Sequence, residues 1–120
     1  MLAAPLTPAT RGLIDRQVLG AARPGLHLIN IARGGLLDQH ALLEALDSGA
    51  IGRASLDVTD PEPLPAGHPL YRHPRVFLSP HNSAISEEGY PAFLDAFIAN
   101  FHRYREQLPL ANLVDTARGY

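Results

Sequence analysis

Two short apolar segments flank a helical segment, and this order constrains the fold more than any other feature of the sequence. Residues 26–31 are apolar and partly β-branched, as in a strand whose two faces are both buried in a parallel sheet. Between Asp38 and Gly49, leucines recur at the spacing of one helical face, and Asp38 can cap that helix. Residues 52–58 predict a second strand. Strand, helix and strand take about 33 residues, the length of one right-handed βαβ unit, and therefore indicate the α/β class with a parallel sheet.

The rest of the chain adds elements on both sides of this unit. Six of the eleven prolines fall between Pro61 and Pro80, so this stretch is expected to be an ordered loop and not a long helix. The other predicted elements are an irregular lead-in over 1–12, a short helix over 16–22, a strand over 75–78, an amphipathic helix over 84–107 and a tail over 108–120. The apolar stripe of the long helix consists of Phe93, Leu94, Phe97, Ile98, Phe101 and Tyr104.

The composition excludes several classes of partner. Of 120 residues, 46% are hydrophobic and 18% are charged, which is typical of a globular protein of one domain. A net charge of -2 with scattered arginines offers no patch for nucleic acid or an anionic membrane. No apolar run reaches the ~20 residues of a membrane span, and no secretory signal follows Met1. Since the chain also lacks cysteine, we expect a cytoplasmic protein that binds neither nucleic acid nor membrane.

The six histidines do not form a recognisable metal site. His68 and His73 lie in the proline-rich loop, and His27, His40 and His102 lie on different predicted elements. Because no subset has the spacing of metal ligands, no metal is expected.

Three predicted loops each carry one side chain that could take part in chemistry. In parallel sheets ligands bind outside the carboxyl ends of the strands, so the loops that hold Arg33, Glu62 and His81 should open at one edge. An arginine can grip a carboxylate through two hydrogen bonds, and a histidine can exchange a proton with an alcohol near neutral pH. A glutamate on the far ring nitrogen would fix the tautomer of that histidine. Each residue alone is more often structural, but their convergence favours a catalytic site.

Four motifs follow one another along the chain. They are PLTPATRG over 5–12, LINIARGGLLD over 28–38, SLDVTDPEPLP over 55–65 and LSPH over 78–81. Together they resemble the D-isomer-specific 2-hydroxyacid dehydrogenases. The ending VDTARGY over 114–120 is similar to the C-terminus of the family's glyoxylate/hydroxypyruvate reductases of the A type, so the resemblance covers nearly the whole chain.

The resemblance implies an oxidoreductase that transfers hydride from NAD or NADP, in reduced form, to a small 2-oxo acid such as glyoxylate or hydroxypyruvate. It implies that Arg33 binds the substrate carboxylate and carbonyl, that Glu62 pairs with His81, and that His81 protonates the carbonyl oxygen. The implied cofactor-binding residues are Pro5, Thr10, Ala32, Arg33 and Asp57.

One part of a dinucleotide-binding unit is not found in the sequence. The phosphate-binding turn has the pattern GxGxxG, and the adjacent Gly34 and Gly35 lack that spacing. The resemblance then implies the C-terminal half of a Rossmann-like parallel-sheet dinucleotide-binding domain over 1–83, with a long C-terminal helix and tail over 84–120 that would pack on a missing substrate domain. We therefore expect a homo-oligomer, or association with a missing N-terminal portion.

Two hypotheses on function remain open at this point. The first is the catalytic part of a 2-hydroxyacid dehydrogenase, and it depends on the three loops and the four motifs. The second is a non-catalytic remnant or interaction module, and it depends on the absent phosphate loop.

Overall fold

The structure is a computed structural model that describes residues 1–87 and 89–119. Its helices and strands are α1 (Arg16–Gly20), β1 (Leu26–Asn30), α2 (Gln39–Asp47), β2 (Ile51–Leu56), β3 (Val76–Leu78) and α3 (Gly89–Arg105). Two single turns of 3-10 helix, Gly34–Leu36 and Pro69–Tyr71, lie in the loops after β1 and β2. The chain thus alternates between strand and helix as predicted.

The three strands form one parallel sheet in the order β1-β2-β3. The last residues of the strands are in register, because Asn30 pairs with Leu56 and Leu56 pairs with Leu78. All three strands therefore end at the same edge of the sheet, and the three following loops leave from it. The predicted α/β fold with a parallel sheet and a βαβ unit is confirmed.

Aspartates begin both helices of the first part of the chain. The Asp15 carboxylate accepts a hydrogen bond from the amide of Val18 at 2.9 Å, and the Asp38 carboxylate accepts one from the amide of Ala41 at 2.9 Å. Each bond satisfies an amide that has no partner within the helix. The apolar face of α2 then packs against the sheet, with Leu42 and Leu46 fully buried.

The core lies within the first part of the chain. Its buried members are Leu19, Leu28, Leu37, Ala41, Leu42, Ala45, Leu46, Ile51, Ala54, Leu56, Leu64 and Leu70. By backbone contacts the chain divides into two compact units, Met1–His81 and the segment from Asn82 onward. No described residue of α3 is buried. The functional division into residues 1–83 and 84–120 stays a prediction.

The ends of several elements differ from the predicted ones. The long helix begins at Gly89 and not at residue 84, so Pro91 falls in its first turn, where the missing amide breaks no helical hydrogen bond. The second strand ends at Leu56 and not at residue 58. Beyond it, the Asp57 amide still donates to the carbonyl of Asn30 at 2.9 Å, so pairing continues for one residue. Within the described parts of the chain, no helix has the length and apolar character that crossing a membrane requires.

Candidate active site

The loop after β1 is held by a buried amide side chain. Asn30 is fully buried, its Nδ2 donates to the carbonyl of Arg33 at 3.0 Å, and its Oδ1 accepts from the amide of Ala32 at 3.1 Å. These two bonds fix the turn that carries Arg33. The guanidinium itself donates to the Ala32 carbonyl at 2.7 Å and is exposed, so its remaining donors face solvent.

The loops after β1 and β2 touch through a glycine. A Cβ atom on Gly34 would overlap the carbonyl group of Thr59 and lie 2.6 Å from the amide nitrogen of Asp60. Only a residue without a side chain permits this approach. The contact sets the position of the loop that leads to Glu62.

Glu62 and His81 form a hydrogen-bonded pair between the loops after β2 and β3. The distance from His81 Nδ1 to Glu62 Oε1 is 2.7 Å, and the two side chains are 44% and 39% exposed. Because a carboxylate only accepts hydrogen bonds, Nδ1 carries the proton and Nε2 is the nitrogen that can exchange a proton with a ligand. The pair has the arrangement of a general acid or base with an orienting carboxylate.

The backbone of His81 has a left-handed conformation. Its φ angle is 52°, which is uncommon for a residue with a side chain. Such conformations cost of order 1–3 kcal/mol and concentrate at functional sites, where the surrounding structure maintains them. His81 lies three residues after the end of the third strand, with its imidazole beside Glu62.

A cavity of about 370 Å³ lies beside this pair. Its walls are formed by Asp57, Thr59, Glu62, Pro63, Leu64, Tyr71, Leu78, Ser79, Pro80 and His81. The volume falls in the range of small-molecule sites, and the mixture of apolar side chains with a few polar groups is typical of them. All of these residues belong to the unit Met1–His81.

Asp57 is the buried acid of this cavity. It is 5% exposed, and its Oδ1 accepts a hydrogen bond from the hydroxyl of Ser79 at 2.5 Å. The bond joins the residue after β2 to the residue after β3, so the carboxylate has a fixed position on the cavity wall. A ligand with an N–H group could donate to it.

The structure brings together some of the predicted site residues and not others. Glu62, His81 and Asp57 line one cavity. Among the residues described, Ala32 and Arg33 are not part of that lining, although their loop meets the loop after β2 through Gly34. The other two predicted residues share a turn of the lead-in, where the Thr10 hydroxyl donates to the Pro5 carbonyl at 2.7 Å.

Two residues of the site were not identified from the sequence. Asn30 orders the turn that carries Arg33, and Ser79 bonds the buried Asp57. Each is a polar residue at the carboxyl end of an apolar strand, a pattern that could have drawn attention to both. Across residues 1–87 and 89–119, no group of three or more histidine, cysteine or acidic side chains could hold a metal ion.

Comparison with known proteins identifies the family of this chain. The model of the "D-isomer specific 2-hydroxyacid dehydrogenase, NAD binding domain" matches residues 1–83. A glyoxylate/hydroxypyruvate reductase A of Serratia proteamaculans is 41% identical over 116 residues, which is 97% of this chain and 36% of that protein. The corresponding reductase of Photorhabdus laumondii is 40% identical over the same length. The chain therefore spans 36% of the length of these relatives.

Solved structures agree with the sequence comparison. A D-isomer specific 2-hydroxyacid dehydrogenase of Xanthobacter autotrophicus, in complex with NADPH and MES, has a TM-score of 0.88 and 40% identity over 98% of this chain and 48% of its own. An NADPH-dependent glyoxylate/hydroxypyruvate reductase of Sinorhizobium meliloti, in complex with NADP and sulfate, has a TM-score of 0.88 and 34% identity over 98% of this chain and 38% of its own. The predicted resemblance and the Rossmann-like fold are thus confirmed. The chain belongs to the D-isomer-specific 2-hydroxyacid dehydrogenase family, and its residues 1–83 correspond to the NAD-binding domain of that family.

Proposed function

We propose that this chain forms the proton-transfer and substrate-carboxylate side of an NAD(P)-dependent enzyme that reduces a small 2-oxo acid, such as glyoxylate or hydroxypyruvate, to the 2-hydroxy acid. The observation that carries the proposal is the 2.7 Å hydrogen bond between Glu62 and His81 at the edge of a cavity. The names of the relatives support the substrate class, since three of the curated proteins are glyoxylate/hydroxypyruvate reductases.

His81 acts as the general acid in this proposal. Its Nδ1 is engaged by Glu62, so the proton for the substrate is held on Nε2. When the carbonyl oxygen gains negative charge, that proton moves to it, and the carboxylate of Glu62 stabilises the imidazole in the required orientation. In the reverse direction the same nitrogen removes a proton from the hydroxyl group.

Arg33 binds the substrate carboxylate. Arginine is a cation whose planar fork of donors matches the two oxygens of a carboxylate. Among residues 1–87 and 89–119 this group makes one hydrogen bond, to the Ala32 carbonyl, so other donors are available for a ligand. The two hydrogen bonds from the Asn30 side chain keep the turn that carries Arg33 in place while the substrate exchanges.

The residues on the cavity wall fit the nicotinamide end of the cofactor. The cavity of about 370 Å³ is large enough for one ring with a small acid. Asp57 presents a buried carboxylate there, and the amide N–H of a carboxamide is a suitable donor for it. Pro5, Thr10, Ala32 and Arg33 are proposed as further contacts. The reduced nicotinamide, when bound, supplies the hydride for the carbonyl carbon.

A second candidate is a non-catalytic remnant or interaction module. The observation that favours it is that no GxGxxG turn occurs in the 120 residues, so the chain by itself contains no such site for the cofactor pyrophosphate. Calorimetric titration of the chain with NADH and NADPH separates the two. Binding tighter than about 1 mM by this chain alone would exclude the remnant.

The division of the protein and its partners belong to the same proposal. Residues 84–120 would pack on a substrate domain, and the chain would associate with the rest of such an enzyme or with a second copy. The exposed apolar side chains of α3 support this association, since Phe93 is 66% and Phe97 62% exposed. A cytoplasmic location is also part of the proposal and is compatible with a sequence without cysteine.

Replacement of the proposed acid tests the function. In a form of the protein that includes a phosphate-binding loop, His81→Ala should lower kcat with glyoxylate and NADPH by about 10²- to 10⁴-fold, because the developing alkoxide loses its proton donor. The Kd for NADPH should change little. His40→Ala is the matched control, because His40 is exposed on α2 and should leave turnover unchanged. Unchanged turnover in His81→Ala would remove this residue from the mechanism.

A further inference from the structure

The loop that carries Glu62 is held in place by a side chain at the start of α2. We propose that Gln39 is a positioning residue, which sets the distance between Glu62 and His81 by binding the backbone of Asp60. This inference rests on the proposed function, because it assigns to Gln39 a part in the work of the proposed acid.

Gln39 makes two hydrogen bonds to one residue of that loop. Its Nε2 donates to the Asp60 carbonyl at 2.5 Å, and its Oε1 accepts from the Asp60 amide at 3.2 Å. The carboxamide is a side-chain group that has both a donor and an acceptor, so it can bind the two polar groups of one residue. Two bonds fix the orientation of the loop as well as its distance.

Two further contacts restrain the same stretch of chain. Arg11 Nη1 lies 3.3 Å from the Asp60 carboxylate, and Gly34 abuts the backbone of Thr59. Within the loop, the Thr59 hydroxyl donates to the Pro61 carbonyl at 3.0 Å. The restraints all lie within three residues of Glu62, on the stretch that precedes it. They therefore fix the position of the Glu62 backbone, from which the side chain extends towards His81.

The anchor for these bonds is itself rigid. Gln39 is the first residue of α2, directly after the cap Asp38. The same first turn of the helix is buried in the core through Ala41 and Leu42. A side chain at this position attaches the loop to the packed core. Such support keeps an acid and its partner in a precise geometry.

The geometry of the reactive pair is sensitive to small movements. A shift of the loop by about 1 Å would lengthen the Glu62 to His81 contact beyond hydrogen-bond range. The imidazole would then lose the group that fixes its tautomer, and misplacement of this size can cost up to about 100-fold in rate. Gln39 touches neither substrate nor the reacting atoms in this proposal, and it acts through Glu62.

The test compares four variants by the ring spectrum of His81. In the unaltered chain, ¹⁵N NMR should find the ring proton on Nδ1, hydrogen-bonded to Glu62. Glu62→Ala provides the spectrum of the ring without this partner. Gln39→Ala and Gln39→Met should both move the ring signals towards that spectrum. His40→Ala, on the adjacent exposed residue, should leave them unchanged.

Methionine keeps the bulk of glutamine but cannot make the two hydrogen bonds. Gln39→Met therefore distinguishes the effect of the lost hydrogen bonds from that of lost packing. If Gln39→Ala fails to fold, Gln39→Met carries the test. A wild-type ring spectrum in a folded Gln39 variant would overturn the proposal.

The kinetic readout uses a form of the protein that includes a phosphate-binding loop. Both Gln39 variants should lower kcat by about 10- to 100-fold while KM for the 2-oxo acid changes by less than about twofold, since the substrate carboxylate is bound elsewhere. A change in KM alone would contradict the positioning role.

The ring spectrum requires no turnover, so it separates the two proposals. If the Gln39 variants alter the spectrum but His81→Ala retains activity, the proposed function fails and the structural effect of Gln39 stands. If His81→Ala is inactive and the Gln39 variants keep the wild-type spectrum, the positioning role alone fails.

Discussion

The two units of the chain differ in how far their apolar side chains are buried. In Met1–His81, leucines of α2 such as Leu42 and Leu46 are 0% exposed, whereas Phe97 and Phe101 of α3 are 62% and 51% exposed. The first unit has a core of its own, and the proposed site lies on the edge of the sheet in that core. The proposed acid and its partner therefore depend on the packing of residues 1–81.

The second unit is held by polar contacts. The Asn100 side chain bonds both the amide of Ala111, at 2.8 Å, and its carbonyl, at 3.1 Å. Arg103 Nε donates to the carbonyl of Pro109 at 2.5 Å. Such bonds contribute about 1 kcal/mol each at most positions, whereas most of the stability of a helix in a protein comes from packing of its apolar face. We expect α3 to be the less stable part of the chain.

The largest effect should come from the core of the first unit. Leu46→Ala removes a fully buried side chain and should lower the free energy of unfolding by about 2–5 kcal/mol, because a cavity remains. The matched change in the second unit is Phe97→Ala, which should alter it by less than about 0.5 kcal/mol. Urea unfolding monitored by circular dichroism measures both. Equal losses of unfolding free energy in the two variants would show that the two units do not differ in packing.

A smaller effect should come from the contact between the two site loops. Gly34→Ala places a methyl group against the backbone of Thr59 and should cost about 1–3 kcal/mol, since the loop must move. Gly20→Ala is the control, because nothing lies within 4 Å of the added atom and the residue is helical. It should be neutral or stabilise by up to about 1 kcal/mol. Similar melting temperatures for the two variants would show that the loops do not depend on this contact.

The smallest effect should be the pH dependence from an ion pair between α1 and α2. The hydrogen bond from Arg16 lowers the pKa of the Glu44 carboxyl below its ordinary value of 4.5. In the unfolded chain this carboxyl takes up its proton at higher pH than in the fold. The pair therefore stabilises the fold above that ordinary value and is lost as the pH falls through the lowered pKa.

Titration of the unfolding free energy from about pH 6 to about pH 3 checks this sign. Arg16→Gln should flatten the decline slightly, and about 1 M salt should do the same in the unaltered chain, because both side chains are exposed. A steeper decline in Arg16→Gln would mean that the pair does not stabilise the fold.

Much of the fold is predictable from sequence patterns that lie within a single helix or strand. The apolar run before Asn30 and the leucine spacing after Asp38 predicted β1 and α2 to within one or two residues. The predicted end of β2 lies two residues too far along the chain, because Val58 is apolar and buried although it lies outside the ladder. An apolar residue at the end of an apolar run can be buried with or without strand pairing, so the sequence pattern does not distinguish the two cases.

The site was less predictable, because it depends on how loops meet. The convergence of Glu62 and His81 followed from the shared edge of parallel strands and from the resemblance, and their roles stay predictions. The contact of Gly34 with Thr59 and the two bonds from Gln39 to Asp60 could not be predicted. They join residues 21 or more positions apart whose spacing carries no periodic signal.

Hydrogen exchange by NMR on the whole chain tests the central claim, that residues 1–81 hold the site in a packed unit that α3 does not share. The amides of Asp57 and Ser79 donate to Asn30 and Leu56 carbonyls and should exchange as slowly as those of β2. Amides of α3 should exchange at least about tenfold faster. Protection of α3 equal to that of β2, or rapid exchange at Asp57 and Ser79, would contradict the account.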